Sequence, residues 1–172
     1  MDDLDEPVHI IDYRAQWATE AVAEAARIAK AIGRPLADLE HIGSTAVVGL
    51  AAKPIVDLML GVPEYPAPSM RSALTALGYE DLGEAGVPER TYFRLRGHAS
   101  FNVHLVLKGG AHWQHNIALR NYLRSSPTAR QRYTEAKQAA LSSGQTNLLA
   151  YSAAKGAVIA DLLREALAAN TC

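Results

Sequence analysis

The stretch Ile55-Val56-Asp57-Leu58-Met59-Leu60 is apolar at every position but one. It is too short for a helix of ordinary length and is apolar on both faces, so it reads as a strand buried on both sides of a sheet. Asp57 in its middle constrains everything else. A buried carboxylate is costly unless it is paired, hydrogen-bonded or bound to a metal. The fold must therefore bring a lysine or arginine to this strand for a structural ion pair, or build a site there that uses the charge.

The flanking segments supply candidate layers. Trp17, Ala21, Ala25, Ile28 and Ile32 recur at helical spacing, and Gly33 and Pro35 end that helix. Leu39 to Ile42 is a short strand, followed by a Gly/Ser/Ala-rich turn from Gly43 to Ala52. Residues 61–68 hold three prolines and are expected to form a loop. Ser69 is placed to cap a helix carrying Met70, Leu74 and Leu77, which Gly78 stops. Thr91 to Arg96 and Ser100 to Leu107 alternate as strands. The remainder is helical: Ala111 to Arg124, a helix opening at Ser126-Pro127, and one from about Thr146 to Ala168. Strands in the middle and helices at both ends predict an α/β (α+β) fold, a mixed sheet flanked by helices. At 172 residues, a single domain is expected.

Charge and cysteine content narrow the setting. A formal net charge of -1 makes no general case for nucleic-acid or membrane binding. Residues 1–40 hold nine acids and four bases, whereas residues 111–172 hold seven bases and three acids. The later helices thus offer cations to an anionic ligand or simply form a solvated basic surface. The only cysteine is Cys172, which cannot form an internal disulfide. The acidic start lacks a signal-peptide pattern, and no stretch approaches the ~20 apolar residues of a membrane span. A soluble cytoplasmic protein is expected.

Several side chains are candidates for chemistry beside Asp57. Gly43 lets the backbone approach a ligand, and the Ser44 hydroxyl with nearby N–H groups can hold an anion; a Gly-Ser pair alone is also an ordinary turn. Lys53 either neutralises Asp57, meets a ligand phosphate, or is solvated. In Ser100 to Leu107, Phe101, Val103, Leu105 and Leu107 share one face, and Ser100, Asn102, His104 and Val106 the other. His104 is thus a metal ligand, a proton carrier, a substrate contact or a hydrogen-bonded structural histidine. Tyr92, Arg94 and Arg96 share a face, which makes Arg94 a candidate anion contact. Arg120 and Lys155 fall within the packing stripes of their helices, where a cation must find an anion or reach water. Tyr133 and Lys137, four apart, carry the same ambiguity. His112 and His115 read as exposed and non-ligating. No GxGxxG, Walker A, HExxH, CxxC or GxSxG pattern occurs.

The run His41-Ile42-Gly43-Ser44-Thr45-Ala46-Val47, followed by Gly49-Leu50-Ala51-Ala52-Lys53-Pro54-Ile55-Val56-Asp57, resembles the signature of the GrpB family. Trp113, His115, Arg120, Asn121, Tyr122, Leu123, Arg124, Pro127, Tyr133 and Lys137 resemble its helical block, and Tyr151 with Lys155 its terminal Tyr-x-x-x-Lys helix. The resemblance extends from about Trp17 to Leu163. The family is similar to the nucleotidyltransferase superfamily, which places Gly-Ser before a strand bearing paired carboxylates that hold divalent metal. A related domain is fused to some dephospho-CoA kinases, which implies a nucleotide or coenzyme A connection. Gly43, Ser44 and Asp57 match the superfamily pattern. The second carboxylate is replaced by Met59, and the family's His-x-His strand has Asn102 at its first position and His104 at its second.

Three functions follow as expectations. The first is a small-molecule transferase or ligase-type enzyme with Asp57 and His104 at the catalytic centre, holding at most one divalent metal. Gly43, Ser44, Lys53, Arg94, Asn102, Arg120, Tyr133, Lys137, Tyr151 and Lys155 would then bind an anionic small molecule or nucleotide. The second is a non-catalytic ligand-binding domain, and the third a hydrolase or lyase reusing the cleft. Met59 favours the latter two.

Overall fold

A computed structural model describes residues 6–144 and 147–169. Its centre is a five-stranded sheet in the order β1-β2-β5-β4-β3. The strands are β1 (Leu39–Ile42), β2 (Val56–Val62), β3 (Glu80–Asp81), β4 (Arg90–Leu95) and β5 (Phe101–Leu107). β2 and β5 pair in parallel and the other neighbours are antiparallel. The sheet is mixed and flanked by helices, as both the residue pattern and the family resemblance imply.

The period-two alternation of β2 and β5 sorts their side chains. Leu58 and Leu60 pair with Val103 and Leu105 and enter the main core. There they meet Trp17, Ala21 and Ile28 of α1 (Gln16–Ile32), Leu74 of α2 (Pro68–Ala76) and Phe93 of β4. Gly33 closes α1 in the left-handed conformation at φ 65°. The opposite face carries Asp57, Met59 and Gly61 on β2 beside Asn102, His104 and Val106 on β5. Met59 is fully buried there with Ile42, Val106 and Trp113.

That second face is roofed by helices. Trp113 belongs to α3 (Ala111–Ser125). α4 (Pro127–Ser142) begins as the residue pattern predicts, with the Ser126 hydroxyl accepting from the Ala129 N–H at 3.1 Å. A small second core of Val47, Leu50, Leu123, Ala129, Tyr133 and Leu162 joins α3 and α4 to the turn after β1 and to the C-terminal helix that carries Leu162.

Four expectations about the elements are corrected. Gly61 and Val62 are strand, not loop, because they continue the ladder to Val106 and Leu107 under Trp113. Ser69 does not cap α2: Pro68 occupies the first turn after Ala67, without a side-chain cap. The last helix is two, α5 (Leu148–Ala154) and α6 (Gly156–Ala169), broken at Lys155 where Gly156 follows. The short β3 was not anticipated, since two residues carry no readable alternation. The expected start at Thr146 and the terminal Cys172 lie outside the described residues.

A Cβ at Gly61 would sit 2.6 Å from the Trp113 ring and 2.9 Å from Lys108 Cβ. Gly61→Ala is therefore expected to destabilise by about 1–3 kcal/mol through overpacking. Chemical denaturation checks this; an unchanged midpoint would mean that Trp113 yields freely.

Candidate functional site

Asp57 sits on β2 with its carboxylate against the turn that follows β1. Gly43 in that turn has φ 71°, and a Cβ there would lie 2.8 Å from Asp57 Oδ2. Backbone conformation and close approach thus both require glycine. Across the parallel ladder, Asn102 Nδ2 donates to Asp57 Oδ1 at 2.7 Å. Arg96 orients that amide by donating to Asn102 Oδ1 at 3.0 Å, and its guanidinium is ion-paired with Glu6 at 2.6 Å. His104, two residues along β5, brings Nε2 to 3.6 Å from Asp57 Oδ1. That nitrogen is buried and has no hydrogen-bond partner among the described residues. Tyr92 of β4 packs edge-on to the His104 ring at 5.3 Å.

The electrostatics favour an ionised Asp57. Burial pushes its carboxyl up, but His104, the Lys53 charge and the Asn102 amide more than offset this and hold it at about 2. Asp57 is therefore an anion throughout the neutral range.

Cations face it across a cleft of about 450 Å³, whose lining includes Lys53, Arg90 and Lys155. A smaller pocket of about 110 Å³ continues inward, past Ser44 to Lys137 and Tyr151. Lys137 is 3% exposed, and its Nζ donates to Ala51 O at 2.7 Å. Burial, with Lys155 and Lys53 nearby, pushes its ammonium down to about 7. Lys155 Nζ lies 4.4 Å over the Tyr151 ring and 5.8 Å over that of Tyr133. The Ser44 hydroxyl donates to Tyr133 Oη at 3.3 Å. Asp57 is the one carboxylate among the described residues lining either space.

Two residues expected at the anion site lie elsewhere. Arg120 Nη1 donates to Glu40 Oε2 at 2.6 Å and to the His41 carbonyl at 2.9 Å, so it ties α3 to β1 outside the cleft. Arg94 is ion-paired with Glu80 of β3 at 2.7 Å and does not line the cleft. Asn102 lines it, but its amide is engaged with Asp57 and Arg96, so it acts on the carboxylate. His112, half-buried rather than exposed, meets the Pro88 carbonyl at 2.8 Å. Arg90 and Arg96 were not picked out. Arg90 continues the alternation of Tyr92 and Arg94 one step earlier, a signal available once β4 is extended by one residue.

Residues 7–165 match the profile of the GrpB protein family, and the chain belongs to that family. It is 34% identical over 164 residues to a UPF0157 protein of Streptomyces coelicolor, covering 95% of this chain and 86% of that protein. It is 25% identical over 187 residues to a dephospho-CoA kinase of Mycolicibacterium paratuberculosis, covering 93% of this chain and 46% of the kinase. The chain spans less than half the length of some curated relatives that it matches. The crystal structure of a conserved GrpB protein from Enterococcus faecalis superposes with a TM-score of 0.82 at 28% identity, covering 95% of this chain and all of that one. Among the described residues no helix is long and apolar enough to cross a membrane.

Two outcomes follow from these placements. The folded-state value of Lys137, about 7, lies below the free-lysine value of 10.5. Between these values the unfolded chain binds more protons, so stability rises with pH from about 7 to about 10.5. Urea denaturation across this range is expected to show a steeper rise in the native protein than in Lys137→Met, where only Lys53, also lowered by burial, contributes. Arg120→Met is expected to cost about 1.5–3 kcal/mol of stability, as for a hydrogen bond to a charged group, while leaving anion affinity unchanged. Paired melting and titration measurements check it; lost affinity at unchanged stability would return Arg120 to the cleft.

Proposed function

We propose that this GrpB family member is a small-molecule transferase or ligase-type enzyme whose cleft takes an anionic, phosphorylated or carboxylated substrate. The observation that carries this is the convergence of Lys53, Lys137 and Lys155 beside a single carboxylate, Asp57. Partly buried cations of this kind are costly without a counter-ion. An anionic ligand supplies the missing charge, and its binding is strengthened because the walls exclude water. Asp57 and His104 stand at the edge of this cation group and are the catalytic pair in this reading. Asp57 holds its negative charge at neutral pH and stabilises positive charge on His104 as the imidazole takes up a proton from the attacking group. Arg96 and Asn102 keep the carboxylate oriented.

The donor set suits one divalent ion rather than two. Asp57 Oδ1 and His104 Nε2 lie 3.6 Å apart and face each other, and the imidazole nitrogen has no hydrogen-bond partner among the described residues. The position of a second carboxylate holds Met59, which is buried in an apolar cluster. No group of three or more His, Cys, Asp or Glu side chains suited to a metal occurs among the described residues. A single ion held by Asp57 and His104, with water completing its shell, would neutralise substrate charge, in place of the proton-accepting role of His104.

Met59 also supports a second reading, a ligand-binding domain that keeps the cleft without catalysis. The similarity to a dephospho-CoA kinase makes nucleotides and coenzyme A precursors the first ligands to test. In a thermal-shift screen, an anion bound to the folded state is expected to raise the melting temperature by mass action. Lys155→Met is expected to weaken that ligand by about 1.5–3 kcal/mol. If product forms with the native chain and stops in Asp57→Asn, the enzyme reading stands; binding without turnover favours the second. Calorimetry with magnesium, manganese and zinc is expected to show at most one site, and two tight stoichiometric sites would overturn the one-ion arrangement.

A further inference from the structure

The cleft has two lobes of unequal size and character. The inner lobe, about 110 Å³, is lined by Ser44, Lys53, Lys137, Tyr151 and Lys155 among others. The outer lobe, about 450 Å³, includes the apolar Ile42, Val87, Leu119, Leu149 and Ile159 in its wall. Gly43, Lys53, Asp57, Tyr133 and Lys155 line both, so the lobes meet at Asp57. At about 110 Å³ against about 450 Å³, the inner lobe suits the compact end of a ligand and the outer lobe its body.

A second observation points to a ligand in the inner lobe. Tyr151 is 1% exposed, and its hydroxyl has no hydrogen-bond partner among the described residues. A buried, unsatisfied hydroxyl is a standing cost that a ligand oxygen removes. The charge type is informative too. Lysine ammonium groups act as point charges and suit a compact dianion, whereas a carboxylate is matched best by the planar fork of arginine. The inner lobe offers three lysines and no arginine.

We propose that the substrate is a phosphomonoester with an apolar body. Its single phosphate sits in the inner lobe on Lys53, Lys137 and Lys155 with the Tyr151 hydroxyl, and its organic body lies in the outer lobe. The bond between head and body then passes Asp57. This rests on the anion-cleft reading above and narrows it to one head group.

Calorimetry of the full chain with inorganic phosphate, phenyl phosphate, benzoate and ATP tests it. Phenyl phosphate is expected to bind at least tenfold more tightly than each of the other three. Lys137→Met weakens inorganic phosphate and phenyl phosphate alike, and Leu149→Ala weakens phenyl phosphate alone. Tyr151→Phe removes a hydroxyl that is unsatisfied in the free protein. It is expected to raise the melting temperature while weakening phosphate roughly tenfold. Should Lys137→Met fail to fold, Tyr151→Phe carries the test. ATP binding as tightly as phenyl phosphate, or benzoate binding more tightly, overturns the phosphomonoester and leaves the anion cleft standing. A lower melting temperature with unchanged phosphate affinity in Tyr151→Phe also overturns it. Binding of none of the four overturns both readings.

Discussion

The parallel pairing of β2 with β5 sets Asp57 beside Asn102, and the 2.7 Å hydrogen bond between them is the contact around which the site is arranged. A carboxylate on a strand buried on both faces has few ways to be stabilised. Here the ladder itself supplies the donor, because parallel register places side chains of equal rank on the same face. That donor must be held with its NH2 toward Asp57. Arg96 does this by occupying the other end of the amide, and Glu6 in turn fixes Arg96. The cost of one buried charge is thereby spread along a chain of four side chains reaching from the N-terminal segment to the middle of the sheet. Gly43 completes the arrangement, since any side chain there would meet Asp57 Oδ2.

Once Asp57 is satisfied from its own sheet, it is only a partial counter-ion for the lysines above it. Asp57 raises the Lys53 and Lys137 values, but burial and mutual repulsion lower both. The face opposite the main core is thus apolar under Trp113, where Met59 is buried, and cationic from Lys53 to Lys155. The same β2 strand serves both regions two residues apart. Met59 extends the apolar cluster of Ile42, Val106 and Trp113 to the edge of the site. Asp57 is the one carboxylate among the described residues lining the cleft, so the lysines there face a single negative charge.

Much of this was legible in the residues because strand period and turn chemistry are local. The alternation of Asn102 and His104 against Phe101, Val103 and Leu105 correctly separated the face that carries Asp57 from the core. The Ser126 cap and Gly33 stop were equally local. What could not be read was the identity of the partner across space. A helical stripe placed Arg120 inward, and it is inward, with its side chain 10% exposed. The stripe does not say whether the neighbour is a cleft or Glu40, and β1 supplied Glu40. Arg94 was assigned the correct face but is intercepted by Glu80 on β3, a two-residue strand with no pattern to announce it. The relay from Glu6 through Arg96 to Asn102 joins segments 90 and 6 residues apart in the chain, a distance over which periodicity carries no information.

The break between α5 and α6 shows how such a departure serves the site. The spacing of Tyr151, Lys155 and Ile159 describes one uninterrupted helix. Lys155 instead stands between two helices with φ -95° and ψ -1°, and Gly156 opens the next one. Glycine after it lowers helix propensity by about 1 kcal/mol relative to alanine, so a continuous helix gains little there. The change of direction lets Tyr151 and Leu162 both be buried while Lys155 keeps its head over the Tyr133 and Tyr151 rings. Those rings hold a partly buried cation through their negative faces without neutralising it. A carboxylate in their place would have quenched the charge. The aromatic pair therefore positions Lys155 at the junction of the two lobes with its charge not neutralised.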